Sequence, residues 1–141
     1  MNTIEETNKI PIVAIIGPTA VGKTEASLAL ARNLNAEIIS VDSRQVYRYL
    51  NVGTDKISAS IRAEIPHHLI DVVAPDEIFS AADFVTHAQI AIEKIRSSGR
   101  VPLLVGGTAF YYKALEGGFL TESLPKSEAL RASLEQEIKD K

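Results

Sequence analysis

One run of residues constrains this chain more than any other: Gly17-Pro18-Thr19-Ala20-Val21-Gly22-Lys23-Thr24 matches the pattern G-x-x-x-x-G-K-[ST]. Before it, Ile12 to Ile16 is a short β-branched apolar run stopped by Gly17 and Pro18. After it, alanine and leucine recur at helical spacing from Glu25 to Leu34. Strand, glycine loop and helix are the context that the motif's mechanism requires. Glycines at both ends let the backbone fold into a nest of N–H donors, and the following helix presents its positive end. Lys23 adds a charge, and Thr24 can ligate magnesium. Gly17, Pro18, Thr19, Ala20, Val21, Gly22, Lys23 and Thr24 are therefore assigned to binding a di- or triphosphate. Such a cradle reads only phosphates, so it does not distinguish the tail of ATP from another diphosphate.

The same alternation continues. Ala36 to Val41 is a second apolar run of strand length, and the polar segment Asp42, Ser43, Arg44, Gln45 follows it. A third strand is expected over His68 to Val73. Ser80 with Asp83 suits a capping box before a helical stripe of Ala81, Phe84, Val85, Ala88, Ile92 and Ile95. Gly99 closes that helix, Val101 to Val105 reads as a fourth strand, and Gly106, Gly107 and Thr108 open another helix that ends near Gly117 and Gly118. Alternating strands and helices predict an α/β fold of three layers, a parallel sheet flanked by helices as in P-loop NTPases, with ligands collected at the carboxyl ends of the strands. No repeat or Gly/Ser-rich linker divides the chain, so 1–141 reads as one unit with 1–9 as a flexible polar tail. In the last segment Leu130, Leu134 and Ile138 fall four apart on one helical face. No capping residue follows, and the chain is expected to be the front part of a longer one.

Charge narrows the partners. A net charge of -3 and a pI near 5.6 argue against bulk electrostatic grip on nucleic acid, so any RNA contact must be local. The absence of cysteine removes disulfides and thiolate metal sites and fits a reducing compartment. The opening residues are polar and acidic rather than basic and then apolar, and no apolar run nears the roughly 20 residues a membrane span needs. A soluble, cytoplasmic protein is expected.

Asp42 stands at the expected carboxyl end of a strand, on the sheet edge that carries the phosphate loop. A carboxylate there can accept a proton from an attacking nucleophile. It can equally cap the turn at Ser43 and Arg44. Ser43, Arg44, Gln45, Tyr47 and Arg48 can hold a flipped base by its edges and face, or form a plain polar loop. An ATP-hydrolysing protein normally ends an apolar strand in an acidic residue that holds magnesium. Val101 to Val105 ends instead in Gly106-Gly107-Thr108, while Ile38 to Val41 ends in Asp42, so a kinase using Asp42 as metal partner or base remains open.

Read together, the phosphate loop, the run Ile38-Ile39-Ser40-Val41-Asp42-Ser43-Arg44-Gln45-Val46-Tyr47-Arg48 and Gly53-Thr54 resemble the transfer RNA dimethylallyltransferase family. His67-His68-Leu69-Ile70-Asp71, Phe79-Ser80-Ala81-Ala82-Asp83-Phe84 and Pro102-Leu103-Leu104-Val105-Gly106-Gly107-Thr108 extend the resemblance in the same order over nearly the whole chain. The resemblance implies that the loop binds dimethylallyl diphosphate with Mg2+. It implies that Asp42 accepts a proton as the exocyclic amine of an adenosine beside the anticodon attacks the allylic carbon. Lys23, Thr24 and Thr108 would complete the catalytic set. Asp42, Ser43, Arg44, Gln45, Thr108 and Arg131 match positions that contact tRNA, and the family is typically monomeric.

Two small departures fall in loops: Val21 stands where the family commonly has serine, and Ala109 where glycine usually follows Gly-Gly-Thr. The adjacent His67 and His68 invite a metal reading, yet neighbours on a strand point to opposite faces, which favours a structural role. Family members are longer, with an inserted helical part that grips RNA. This piece alone is expected to bind diphosphates weakly and to transfer little. The rival readings are a P-loop small-molecule or nucleotide kinase, an enzyme prenylating free adenine nucleotides (an adenylate isopentenyltransferase), and a nucleotide-binding module without catalysis.

Overall fold

The computed structural model describes residues 10–117 and 127–139, so the expected tail 1–9, Gly118 and the last residues of the chain lie outside the described residues. Four strands pair in parallel: β1 (Val13–Ile16), β2 (Ala36–Ser40), β3 (His67–His68) and β4 (Val101–Gly106), in the spatial order β1-β4-β2-β3. The register sets Val13 beside Leu103, Ile38 beside Leu103 and also beside His67. Five helices complete the described chain: α1 (Lys23–Leu34), α2 (Ala59–Glu64), α3 (Ala81–Ser97), α4 (Ala109–Leu115) and α5 (Glu128–Lys139).

The strand period of two divides the core into two layers. Ile38 and Leu103 face one way and pack with Ala31 of α1 and Ile65. Ile39 and Leu104 face the other way and pack with Phe84, Ala88, Ile92 and Ile95 of α3 and with Tyr111 and Tyr112 of α4. The expected three-layer α/β architecture follows directly, because a parallel sheet with both faces apolar must be covered twice. Phe84 is fully buried and stacks on Tyr111 with ring centroids 4.4 Å apart. Its burial contributes about 2 kcal/mol.

Helix α3 begins with the capping box expected at Ser80 and Asp83. Asp83 N–H donates to Ser80 Oγ at 3.2 Å, and Ser80 N–H donates to Asp83 Oδ2 at 2.8 Å. Ser80→Ala should lower stability by about 1 kcal/mol, read as a lower urea midpoint with an unchanged slope. An unchanged midpoint would mean that α3 is held by packing alone.

Two expectations need correction. The third strand does not run from His68 to Val73: it is His67–His68 only, because Leu69 at φ 62° and Asp71 at φ 56° turn the backbone left-handed. Val73 instead forms an isolated bridge with Tyr47. Helix α2 was not foreseen, since its six residues bury nothing and carry no apolar period; Ser58, whose side chain accepts from Ile61 N–H, starts it.

Candidate active site

The carboxyl ends of β1, β2 and β4 deliver the phosphate loop, Asp42 and Gly106-Gly107-Thr108 to one place. Val41 N–H donates to Val105 O at 2.8 Å and Thr108 N–H donates to Val41 O at 3.2 Å, which carries the pairing past the strand ends. The approach is closed to a larger side chain: a Cβ on Gly106 would lie 2.1 Å from Val41 O, and one on Gly107 would lie 3.0 Å from Gly17 O. Glycine at these two positions is thus what lets the three strand ends meet. Across the junction Ser43 N–H donates to Thr108 Oγ1 at 3.3 Å.

The phosphate loop turns through Ala20 at φ 64° and Gly22 at φ 84° before α1 opens at Lys23. Lys23 Nζ folds back and donates to Pro18 O. Buried Ser27 anchors the first turn by donating to Thr24 O at 2.8 Å. The half-buried Lys23 and the start of α1 together put positive charge at the loop, as a phosphate group requires.

Asp42 caps the turn that follows it. Its Oδ1 accepts from Arg44 N–H at 2.7 Å and from Gln45 N–H at 3.0 Å, which fixes the turn. No hydrogen bond among the described residues reaches its Oδ2. Gln45 is used differently: its Oε1 accepts from Ser40 Oγ at 2.8 Å and its Nε2 donates to Thr54 O at 2.9 Å and Asp55 O at 3.2 Å. The amide ties the Asp42 loop to the segment Gly53 to Asp55.

A cleft of about 860 Å³ joins these parts. Lys23, Thr24, Asp42, Ser43, Arg44, Gln45 and Thr108 line it, together with Pro18, Thr19, Ala20 and Gly22 of the loop. Ile38, Ile57, Ile70 and Val105 are among its apolar lining residues. Gly17 and Val21 are not among the lining residues: Gly17 O faces Gly107, and Val21 points outward at 57% exposure. Arg131 is not brought there: it lies on α5, whose residues are all exposed, 3.8 Å from Glu135. His67 lines the cleft wall with Nδ1 against Ile65 O at 2.6 Å, and burial pushes its imidazole below the usual range. His68 instead meets Glu37 at 2.6 Å. The two rings thus have separate structural partners, and no group of three or more metal-ligating side chains occurs among the described residues.

Sequence reasoning passed over the support behind the Asp42 loop. Lys56, whose side chain is 4% exposed, donates to Asp71 Oδ1 at 2.7 Å, to Tyr47 O at 2.5 Å and to Asn51 Oδ1 at 3.3 Å. Arg62 meets Asp71 Oδ2 at 2.8 Å. Asp71 and Tyr47 fell within runs that carry the family resemblance, but for Lys56 the nearest signal was adjacency to Gly53-Thr54, and Arg62 had none. Partial burial pushes the Asp71 carboxyl upward, but the hydrogen bonds and charges of Lys56 and Arg62 outweigh it and hold the group below its ordinary value of 3.8. A folded-state pKa below the unfolded one adds stability that is complete above the unfolded value and disappears as pH falls through the folded one. Asp71→Asn should therefore flatten part of the acid limb below about pH 4. Thermal midpoints of both forms across that range check this, and parallel curves would contradict it.

Comparison with known proteins meets this geometry. The family model described as IPP transferase matches residues 45–141, more than half of the chain. A tRNA dimethylallyltransferase of Halorhodospira halophila is 53% identical over 128 residues, covering 90% of this chain and 41% of the relative. The full-length tRNA isopentenylpyrophosphate transferase structure from Bacillus halodurans superposes with a TM-score of 0.77 at 47% identity, covering 94% of this chain and 44% of that one. A eukaryotic dimethylallyltransferase acting on tRNA gives a TM-score of 0.76 at 34% identity, with 86% of this chain and 31% of that one covered. The chain spans about two fifths of the length of the curated relatives it matches. No helix among the described residues is long and apolar enough to cross a membrane. With sequence and fold in agreement over nine tenths of its length, this chain belongs to the IPP transferase family.

Proposed function

We propose that the protein carrying this chain transfers the dimethylallyl group of dimethylallyl diphosphate to N6 of the adenosine adjacent to the anticodon, position 37, in tRNA, releasing pyrophosphate. The reading rests on one observation: the phosphate loop, Asp42 and Thr108 line a single cleft whose lining also includes Ile38, Ile57, Ile70 and Val105. The loop N–H groups and Lys23 bind the diphosphate, and the apolar lining residues receive the five-carbon chain. Asp42 Oδ2 takes the proton from N6 as the N6–C1 bond forms and the C1–O bond to the diphosphate breaks. Ser43, Arg44 and Thr108 stand beside Asp42, where the flipped adenosine and its neighbours contact the loop, and Gln45 acts in that contact through the loop it ties. Arg131 contacts RNA from α5.

Mg2+ fits this donor set. A cation that keeps several waters and binds chiefly to substrate phosphate oxygens needs few protein ligands, and the Thr24 hydroxyl at the helix start supplies one. When bound, the ion neutralises charge on the departing diphosphate.

The test is transfer of labelled dimethylallyl to unmodified tRNA by this chain and by the protein extended to the length of its relatives. AMP as acceptor and ATP as phosphoryl donor are assayed beside it. Transfer to tRNA by the extended protein, with little by this chain alone, is the expected result. Prenylation of AMP alone would redirect the acceptor to free nucleotides, and phosphoryl transfer without prenyl transfer would replace the reading with a kinase.

A further inference from the structure

The Asp42 loop is fastened from behind by a set of contacts that no part of the phosphate loop shares. Its second half, Gln45 to Arg48, is strapped to Asp71, Val72 and Val73. Asp71 N–H donates to Gln45 O at 3.1 Å, Val72 N–H to Val46 O at 2.7 Å, and Arg48 N–H to Val73 O at 2.8 Å. The Arg48 side chain returns to the same strap, donating to Asp71 O and Val72 O at 3.1 Å each. Asp71 holds its place only in a left-handed backbone conformation, at φ 56°, which an L-residue adopts at a cost. Its backbone hydrogen bonds to Gln45 and Arg48 and its ion pairs with Lys56 and Arg62 hold it there together. Among the described residues Lys56 grips both sides at once: the Asp71 carboxylate on the strap and Tyr47 O on the loop, with Asn51 Oδ1 beyond it as a third acceptor. Arg62 meets the same carboxylate from α2 without touching the loop.

We propose that Lys56 is a positioning residue: through its bridge from Asp71 to Tyr47 O it sets the placement of the Asp42–Tyr47 segment, and so governs engagement of the RNA acceptor but not of the prenyl diphosphate. The proposal rests on the prenyl-transfer reading above for the identity of the two substrates. Its physical content is the asymmetry of the contacts. An ammonium buried this deeply and given three acceptors holds them at fixed distance, whereas an apolar side chain of similar length leaves Tyr47 O and Asp71 to find other partners. The loop then shifts relative to the sheet while the phosphate loop, which depends on Gly17, Ser27 and α1, stays.

The experiment compares Lys56→Met and Arg62→Met in the full-length protein, with KM measured separately for tRNA and for dimethylallyl diphosphate, and thermal midpoints recorded. Lys56→Met should raise KM for tRNA and lower kcat, together on the order of 10- to 100-fold in kcat/KM, the scale on which a displaced catalytic segment acts. KM for the diphosphate should stay within about twofold. Arg62→Met removes the other partner of Asp71 and should lower the midpoint without separating the two KM values. Should Lys56→Met fail to fold, Asp71→Asn, which retains size and hydrogen bonding while weakening the bridge, should give the same split at smaller amplitude. Equal changes in both KM values, or none in that for tRNA, would overturn the proposal. Absence of prenyl transfer by the unmodified full-length protein would instead sink the functional reading itself.

Discussion

On the proposed prenyl-transfer reading, Asp42→Asn in the full-length protein should lower prenyl transfer by about 10²- to 10⁴-fold while diphosphate affinity and thermal midpoint stay unchanged. The separation follows from how the two carboxylate oxygens are used. An asparagine Oδ1 still accepts from Arg44 N–H and Gln45 N–H, so the turn survives. Its amide nitrogen stands where Oδ2 stood and cannot take the proton from N6. Asp42→Ala removes the turn acceptor as well and should add a stability cost of about 1–3 kcal/mol, the scale of two lost hydrogen bonds. Single-turnover transfer, diphosphate binding and a thermal melt on each variant decide the matter. Joint loss of diphosphate binding and transfer in Asp42→Asn would make Asp42 a metal or folding residue instead.

Gly106→Ala should be the more damaging change to the fold. The new methyl would sit 2.1 Å from Val41 O and 2.6 Å from its carbonyl carbon, distances at which backbone must move because no flexible side chain can yield. A cost of about 4 kcal/mol or more is expected, a large share of the roughly 5–15 kcal/mol by which domains are stable. Gly107→Ala, whose methyl would meet Gly17 O at 3.0 Å, needs only a small shift and should cost less. The two melts side by side are the check, and equal midpoints would show that β2 and β4 separate freely at their ends.

Much of this arrangement was readable from local pattern. The phosphate loop, the Ser80–Asp83 capping box and the runs that became β2 and β4 each carry their signal within a few neighbouring residues, and each formed where expected. The third strand failed for a nonlocal reason. His68 to Val73 has the composition of a strand, but Leu69 and Asp71 are twisted left-handed so that Asp71 can reach Lys56 and Arg62. Nothing in a window of that length shows those partners. Helix α2 escaped because it buries no residue and so leaves no apolar period. In the cleft, the charged and glycine-rich motifs were legible, whereas Ile57 and Ile70, which also line it, looked like ordinary hydrophobic residues. The close contact of Gly106 with Val41 was equally invisible, since it links two motifs far apart in the chain.

The order β1-β4-β2-β3 has a temporal side. β1 and β2 do not touch as paired strands; each waits for β4, which supplies the shared edge through Leu103, Leu104 and Val105. A ribosome delivers the chain from its amino end, so the phosphate loop and the Asp42 loop emerge long before the strand that joins them. Pairing over such sequence separation is slow, because loop closure must precede the contacts that reward it. Until Gly106 slots against Val41, the glycine loop and the Asp42 loop of the nascent chain have no common edge, so the cleft they line forms only when the sheet is complete.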